Sequence, residues 1–205
     1  MALATSKRKL ATAIFMLCIA IVGFVAMTFS ILAATTQQVQ SVFSVTYSGD
    51  NVYALVSATY SLNGGTPQNM KTSDGQISLV FNPGMGLTSK TLSCAEVGLS
   101  PENSNLFFVY KFVNQNPSGG TSMQVTFADN SSSTNITTTY FASTTSMPTQ
   151  SQTEASTTGK NITLVVAAGA TGYVAVCVRI TSVYQDASYL STSSSGVNAT
   201  ISSVA

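Results

Sequence analysis

Short runs in which apolar and polar residues alternate occur along most of this chain, and they limit the folds open to it. The clearest run is Tyr173–Ile180, where Val174, Val176, Val178 and Ile180 occupy every second position. A period of two places these apolar side chains on one face of a β-strand. Comparable strand-like runs begin at Val42, Val52, Ile77, Leu106, Met123, Ile162 and Val197.

Turn sequences separate these runs, as at Asn63-Gly64 and Asp74-Gly75. Asn-Gly favours a tight hairpin because both of its residues tolerate positive φ. No run has the pattern of a convincing amphipathic helix. The sequence therefore predicts an all-β domain of about eight or nine short strands. We expect an antiparallel two-sheet sandwich with a jelly-roll or Ig-like topology.

The first 34 residues differ from the rest of the chain in composition. Lys7-Arg8-Lys9 forms a basic cluster, and Leu10–Ala34 contains no charged residue. A basic cluster followed by an apolar run and small residues is typical of a secretory signal. The apolar run is also long enough, at about 37 Å of helix, to span a membrane. We therefore predict that residues 1–34 are a hydrophobic helix serving as signal peptide or signal anchor, and that residues 35–205 form a single β-sandwich domain.

The end of the apolar run contains a predicted cleavage site. Thr28 and Ser30 place small residues three positions and one position before the bond to Ile31, so cleavage is expected after Ser30. Cleavage after Ala33 or Ala34 is a less regular alternative. With or without cleavage the domain is predicted to be exported, to work outside the cell or at its surface, and to touch the membrane only through the N-terminal segment.

Charged residues make up only 7% of the chain. Beyond residues 1–34, which we call the leader, the chain has five basic and seven acidic residues, which gives the exported domain a net charge of −2. This balance gives no sign of a nucleic-acid or anionic-membrane surface. Uncharged strands also lack the charges that discourage edge pairing. The predicted partners are therefore other copies of the chain, in a homopolymer, or other surface proteins.

Serine and threonine supply 17 of the 29 residues from Ser131 to Gly159. This composition predicts a weak strand near Ile136–Phe141 and then a flexible excursion over 143–160.

The cysteine count permits one disulfide in the exported domain. Cys18 lies in the apolar run, and Cys94 and Cys177 remain. In an oxidising compartment these two are candidates for a disulfide. The alternative is two separate buried thiols, because free cysteine packs like a small apolar residue.

The chain contains no histidine. This excludes the common Ser/His and Cys/His catalytic arrangements, and makes a zinc or copper site of the usual kind unexpected. The acids are scattered, most of them in predicted turns, so no pair is placed for acid–base catalysis. We predict a protein that is not an enzyme, with no catalytic residue, metal site or cofactor.

Tyrosines suggest an alternative function. A carbohydrate-binding sandwich acting as a surface adhesin could use them as stacking faces, although tryptophan, the preferred platform, is absent. The candidates are Tyr47, Tyr53, Tyr60, Tyr110 and Tyr140. Their competing role is packing in the core and across strands.

The end of the leader resembles a known family. Met27-Thr28-Phe29-Ser30 followed by Ile31-Leu32 is similar to the junction in the exported TasA/camelysin family of Gram-positive biofilm-matrix proteins. Leaders of that family end in a Gly-Thr-(Phe/Trp)-Ala type junction and continue directly into a first strand. Here Met27 stands for the glycine and Ser30 for the alanine. The aspartate that often follows is absent, since Ala33-Ala34-Thr35 stands there.

Two stretches of the body also resemble this family or bacterial sandwiches in general. Leu99–Asn114 is similar to the loop and strand, ending in asparagine, that open the family's core sheet. Ile162–Ile180 is similar to the two strands joined by a turn that are common in bacterial sandwiches. Together they cover less than a third of the chain. The resemblance implies a jelly-roll subunit of extracellular fibres that donates its mature N-terminal segment to a neighbour and has no catalytic residues.

The segment after the leader has a pattern that fits such donation. Phe43, Val45 and Tyr47 alternate with polar residues, and no charge occurs from Ile31 to Tyr47. As a donated strand, these three side chains would set the register in the next subunit. The alternative is an ordinary first strand within its own domain.

Overall fold

The chain divides into two units, Met1–Thr36 and Gln37–Ala205, close to the boundary predicted after Ala34. A computed structural model describes residues 16–25, 37–39, 41–49, 51–94, 97–99, 105–130, 136–180 and 197–204. In the smaller unit, residues 16–25 form a helix, α1, inside the apolar run, and their side chains are exposed. Among the described residues, no helix combines the length and the apolar character needed to cross a membrane.

Strands make up most of the larger unit. In chain order the elements are β1 Gln37–Val39, β2 Val42–Tyr47, β3 Ala54–Leu62, β4 Gln68–Asn69, β5 Ser78–Phe81, β6 Thr88–Ser93, β7 Val97–Leu99, β8 Asn105–Asn114, β9 Met123–Asp129, β10 Ile136–Ser143, α2 Gln150–Glu154, β11 Asn161–Val166, β12 Thr171–Ile180 and β13 Val197–Ser203. Sheet I has the order β10-β12-β8-β3, with β4 and β5 both beside β3. Sheet II has the order β11-β9-β13-β2-β6, and β1 pairs with β7 separately.

The two sheets share one apolar core, as expected for a sandwich. Phe43 of sheet II lies near its centre, with its ring centroid 4.4 Å from that of Tyr110 and 6.2 Å from that of Phe112, both in sheet I. Phe127 of sheet II lies 6.4 Å away. The predicted period of two is confirmed where it was clearest, because Val174 and Val176 of β12 face this core.

One strand pair corrects the prediction of a purely antiparallel sandwich. β13 runs parallel to β2, with Val197 opposite Phe43 and Ile201 opposite Tyr47. All other strand pairs among the described residues are antiparallel. Hairpin turns impose the antiparallel direction only on strands adjacent in sequence. Most of the chain separates β2 from β13, so no turn fixes their relative direction.

The Ser/Thr-rich segment at 143–160, predicted to be a flexible excursion, contains the short helix α2. Thr149 caps α2 by accepting a hydrogen bond from the backbone N–H of Gln152, and the Gln152 side chain accepts one from the Thr149 N–H. Thr153 is fully buried, and its hydroxyl donates to the Thr149 carbonyl at 2.9 Å. In this part of the segment, polar side chains satisfy the backbone groups at the helix terminus.

A buried asparagine joins three segments of the sandwich. Asn114, at the end of β8, is fully buried. Its Nδ2 donates to the Thr121 carbonyl at 3.0 Å and to the Val166 carbonyl at 3.1 Å. Its Oδ1 accepts from the backbone N–H of Asn116 at 3.1 Å. One side chain therefore ties β8, the β8–β9 loop and the end of β11 together.

Candidate interaction site at the sheet edges

The residues proposed for strand donation lie inside their own domain. Phe43, Val45 and Tyr47 are fully buried. Their strand, β2, has β13 on one side and β6 on the other. The Tyr47 hydroxyl also donates to the Val52 carbonyl at 2.7 Å. In this single chain, β2 is therefore a strand within its own sheet. The predicted cleavage residues Thr28, Ser30 and Ile31 lie outside the described residues.

The predicted Cys94–Cys177 disulfide is not formed, and both thiols are free and buried. Cys94 belongs to the core between the sheets, whereas Cys177 packs with Phe107 and Val109 in a second cluster. This second cluster uses the faces of β8 and β12 opposite to the core. A disulfide would therefore have to cross sheet I, and the even cysteine count could not reveal this.

Each thiol has its own hydrogen bond. The Ser41 N–H donates to the sulfur of Cys94 at 3.1 Å, and the Cys177 thiol donates to Glu154 Oε1 at 3.6 Å. Burial raises the pKa of Cys177 to about 12, and the negative charge of Glu154 adds to the rise. Burial also raises the pKa of Cys94, an effect that the Ser41 N–H opposes.

We expect Cys94 and Cys177 to resist alkylation in the folded protein. With a pKa of about 12, only about 10⁻⁴ of Cys177 is thiolate at pH 8. Iodoacetamide at pH 8 should label Cys94 and Cys177 only after denaturation without reductant, whereas Cys18, in uncleaved chain kept in solution, should be labelled quickly. Peptide mass spectrometry reports each site, and a disulfide-linked Cys94–Cys177 peptide from secreted protein would contradict the assignment.

Four of the five candidate stacking tyrosines face the interior. Tyr47, Tyr60, Tyr110 and Tyr140 are at most 6% exposed, whereas Tyr53 is 47% exposed. Their rings pack in the core, as Tyr47 does against Phe81 at a centroid distance of 5.3 Å. Buried rings cannot offer a sugar-stacking face, so only Tyr53 of this set remains available.

The polar groups of Tyr110, Asp129 and Tyr140 are also buried. The Tyr140 hydroxyl donates to Asp129 Oδ2 at 2.6 Å, and Asp129 is 3% exposed. The nearby Tyr110 hydroxyl has no hydrogen-bond partner among the described residues. Burial, and then the charge of Asp129, raise the pKa of Tyr110 well above its usual range, and the Ser41 side chain opposes the rise. These groups lie in the interior and do not reach solvent.

Most sheet edges are protected in ways that hinder pairing with another chain. At β6, Ser93 exchanges two backbone hydrogen bonds with Lys71, at 2.9 and 2.7 Å. Beside it, Lys90 Nζ donates to the Val80 carbonyl of β5 at 2.7 Å and lies 5.1 Å from the Phe81 ring centroid. Sheet I ends at β10. There Thr158 forms a bridge with Tyr140 of β10, and α2 packs beside the same strand. Short edge strands such as β4, charges and covering segments are recognised protections.

The edge at β11 has none of these protections among the described residues. Asp129 N–H donates to the Lys160 carbonyl, which makes that opposed pair a hydrogen-bonded one. Hydrogen-bonded and non-bonded pairs alternate along an antiparallel ladder. In the register of β11 with β9, the backbone groups of Asn161, Thr163 and Val165 therefore point away from β9. β11 contains no charge and no proline.

A polar groove lies beside β5 and β6. Its volume is about 440 Å³, and its lining includes Asp74, Lys90, Gln76 and the hydroxyls of Thr72 and Thr91. Lys90 already donates to the Val80 carbonyl. One of the groups that line the groove, the Lys90 ammonium, therefore already holds β5 and β6 together.

Comparison with known proteins adds no assignment, since no protein-family model and no curated protein matches this chain.

Proposed function

We propose that this protein is an exported structural or interaction subunit at the cell surface, which associates with copies of itself or with other surface proteins by strand pairing. The observation that carries the proposal is the unprotected edge at β11, which contrasts with the short, charged or covered edges described above. Exposed backbone donors and acceptors on an uncharged strand favour pairing with another strand. The leader pattern supports export, and the resemblance of its junction to the TasA/camelysin family supports a role in extracellular fibres.

For the finer topology we propose a jelly-roll type of sandwich rather than an Ig-like one. From β8 to β13, successive strands alternate between sheet I and sheet II. Strands that cross between sheets in this way support the jelly roll, whereas hairpins within one sheet are more frequent in Ig-like folds.

Fibre assembly through the N-terminal strand also belongs to this proposal, with the segment before β2 as the donated segment. β1, at Gln37–Val39, pairs only with β7 among the described residues, outside both large sheets. A neighbour could therefore exchange this segment without opening the core around Phe43.

Deleting residues 31–40 is expected to leave a folded protein that no longer forms filaments. The deletion removes β1 and keeps β2–β13, so the circular-dichroism spectrum and melting temperature should change little. Negative-stain electron microscopy of surface-extracted protein, with and without the deletion, measures filament formation. A deletion of the same length at 181–190, between β12 and β13, is the control. Filaments from the 31–40 deletion would rule out donation.

The surface adhesin remains the alternative function, and the groove beside β5 and β6 is where a small polar ligand would bind. Retention of monomers on a glycan array, lost on Asp74→Ala, would favour this alternative. Concentration-dependent oligomers without glycan binding would favour the structural subunit.

A further inference from the structure

We propose that the β11 edge pairs with the β11 edge of a second copy of this chain, antiparallel and about a two-fold axis at Thr163. The inference rests on the proposed self-association and names the contact that produces it. It joins sheet II of each copy, five strands, into one ten-stranded sheet.

The available backbone groups determine the register. Within β11, Asn161, Thr163 and Val165 are the residues that direct their N–H and C=O groups outward. An antiparallel pair that uses all three must place Thr163 opposite its own copy and Asn161 opposite Val165. A shift by two residues along the strand loses at least one of the three hydrogen-bonded pairs. The two-fold arrangement therefore satisfies the most donors and acceptors.

Side chains on both faces tolerate this register. On the outer face, Asn161, Thr163 and Val165 are exposed, and Thr163 meets a second threonine, a favourable cross-strand pair. On the core face, Ile162 would lie opposite Leu164 of the other copy; both are at most 9% exposed within one chain. Their meeting extends the apolar core across the contact.

Charges explain why a second β11, rather than another edge of the same protein, fits best. Lys160 would stand opposite Val166 of the copy, so no like charges meet. At β6 an incoming strand would meet the Lys90 ammonium and the bonds between Ser93 and Lys71. The same patch therefore serves on both subunits, which is the usual two-fold interface of homodimers. Six residues of edge make a small contact, so we expect a weak, concentration-dependent dimer.

Cysteine cross-linking of the full chain tests the register. In a Cys18→Ser background, which removes the exposed thiol, Thr163→Cys should form a disulfide dimer under mild oxidation. The two copies of residue 163 would be about 5.5 Å apart at Cα, within disulfide range. Val165→Cys alone should not cross-link, because its two copies would be about 14 Å apart. A mixture of Asn161→Cys and Val165→Cys should cross-link.

Sedimentation separates failure of this inference from failure of the proposed function. We expect the native chain to dimerise, Thr163→Lys to weaken dimerisation at least tenfold, and Thr91→Lys, an equal charge on the β6 edge, to leave it unchanged. Equal cross-linking at all three sites, or none at Thr163→Cys while the native chain still associates, overturns the β11 contact alone. A native chain that stays monomeric at every concentration overturns both proposals.

Discussion

Phe43→Ala is expected to lower the free energy of unfolding by about 3–5 kcal/mol, the range for removing a large aromatic side chain from a packed core. Phe43 is fully buried and contacts rings from both sheets, with Tyr110 at 4.4 Å and Phe127 at 6.4 Å between centroids. Alanine would leave a cavity between the sheets that neighbouring strands cannot close, because each is fixed by hydrogen bonds on both sides.

Urea denaturation with linear extrapolation measures this loss. Tyr53→Ala is the matched control, since Tyr53 is also aromatic and is 47% exposed; its effect should stay below about 1 kcal/mol. If the two substitutions cost the same, Phe43 does not occupy the centre of the core.

Asn114→Asp is expected to cost about 2–5 kcal/mol at pH 7, despite the nearly identical shape of the two side chains. The Asn114 amide donates to the carbonyls of Thr121 and Val166, and a carboxylate would face both with no donor. Each buried acceptor left without a partner costs about 1–3 kcal/mol, and the buried charge adds to this.

The same substitution should produce a diagnostic pH dependence. Burial and two facing carbonyls would raise the pKa of the new carboxyl in the folded state above its unfolded value of about 3.9. The part of the penalty that comes from the charge is then absent below the unfolded pKa, grows as the pH rises above it and is complete above the folded pKa. The gap in stability between variant and native protein should therefore shrink from pH 7 to pH 4. Asn82→Asp, at an exposed turn residue, should show little effect, and a pH-independent gap for Asn114→Asp would contradict the assignment.

Local patterns predicted the strands well, because alternation reports which side chains of a strand are buried. The core-facing sides of β2, β9 and β12 could be predicted in this way, from Phe43, Phe127 and Val176. The alternation could not predict which distant strands pair with each other. The parallel pairing of β2 with β13, and the sheet that separates Cys94 from Cys177, depend on strand order.

The candidate site illustrates the same limit. β11 alternates between exposed and buried residues much as β9 does, although β9 lies inside the sheet and β11 at its end. A central and an edge strand can therefore share one pattern. What distinguishes them is whether a neighbour uses the outward backbone groups. The capped helix α2 was missed for a related reason, since serine and threonine content does not tell a cap from a disordered linker.

The parallel pairing of β2 with β13 has a mechanical consequence. A force that pulls β2 from its N-terminal side and β13 from its C-terminal side would slide the two strands past each other along their length. The backbone bonds along Phe43–Tyr47 and Val197–Ile201 would then bear the load together, whereas an antiparallel hairpin pulled from its open end breaks one bond at a time. Sheet II would thus resist stretching along the chain, a property that would suit the structural subunit proposed above.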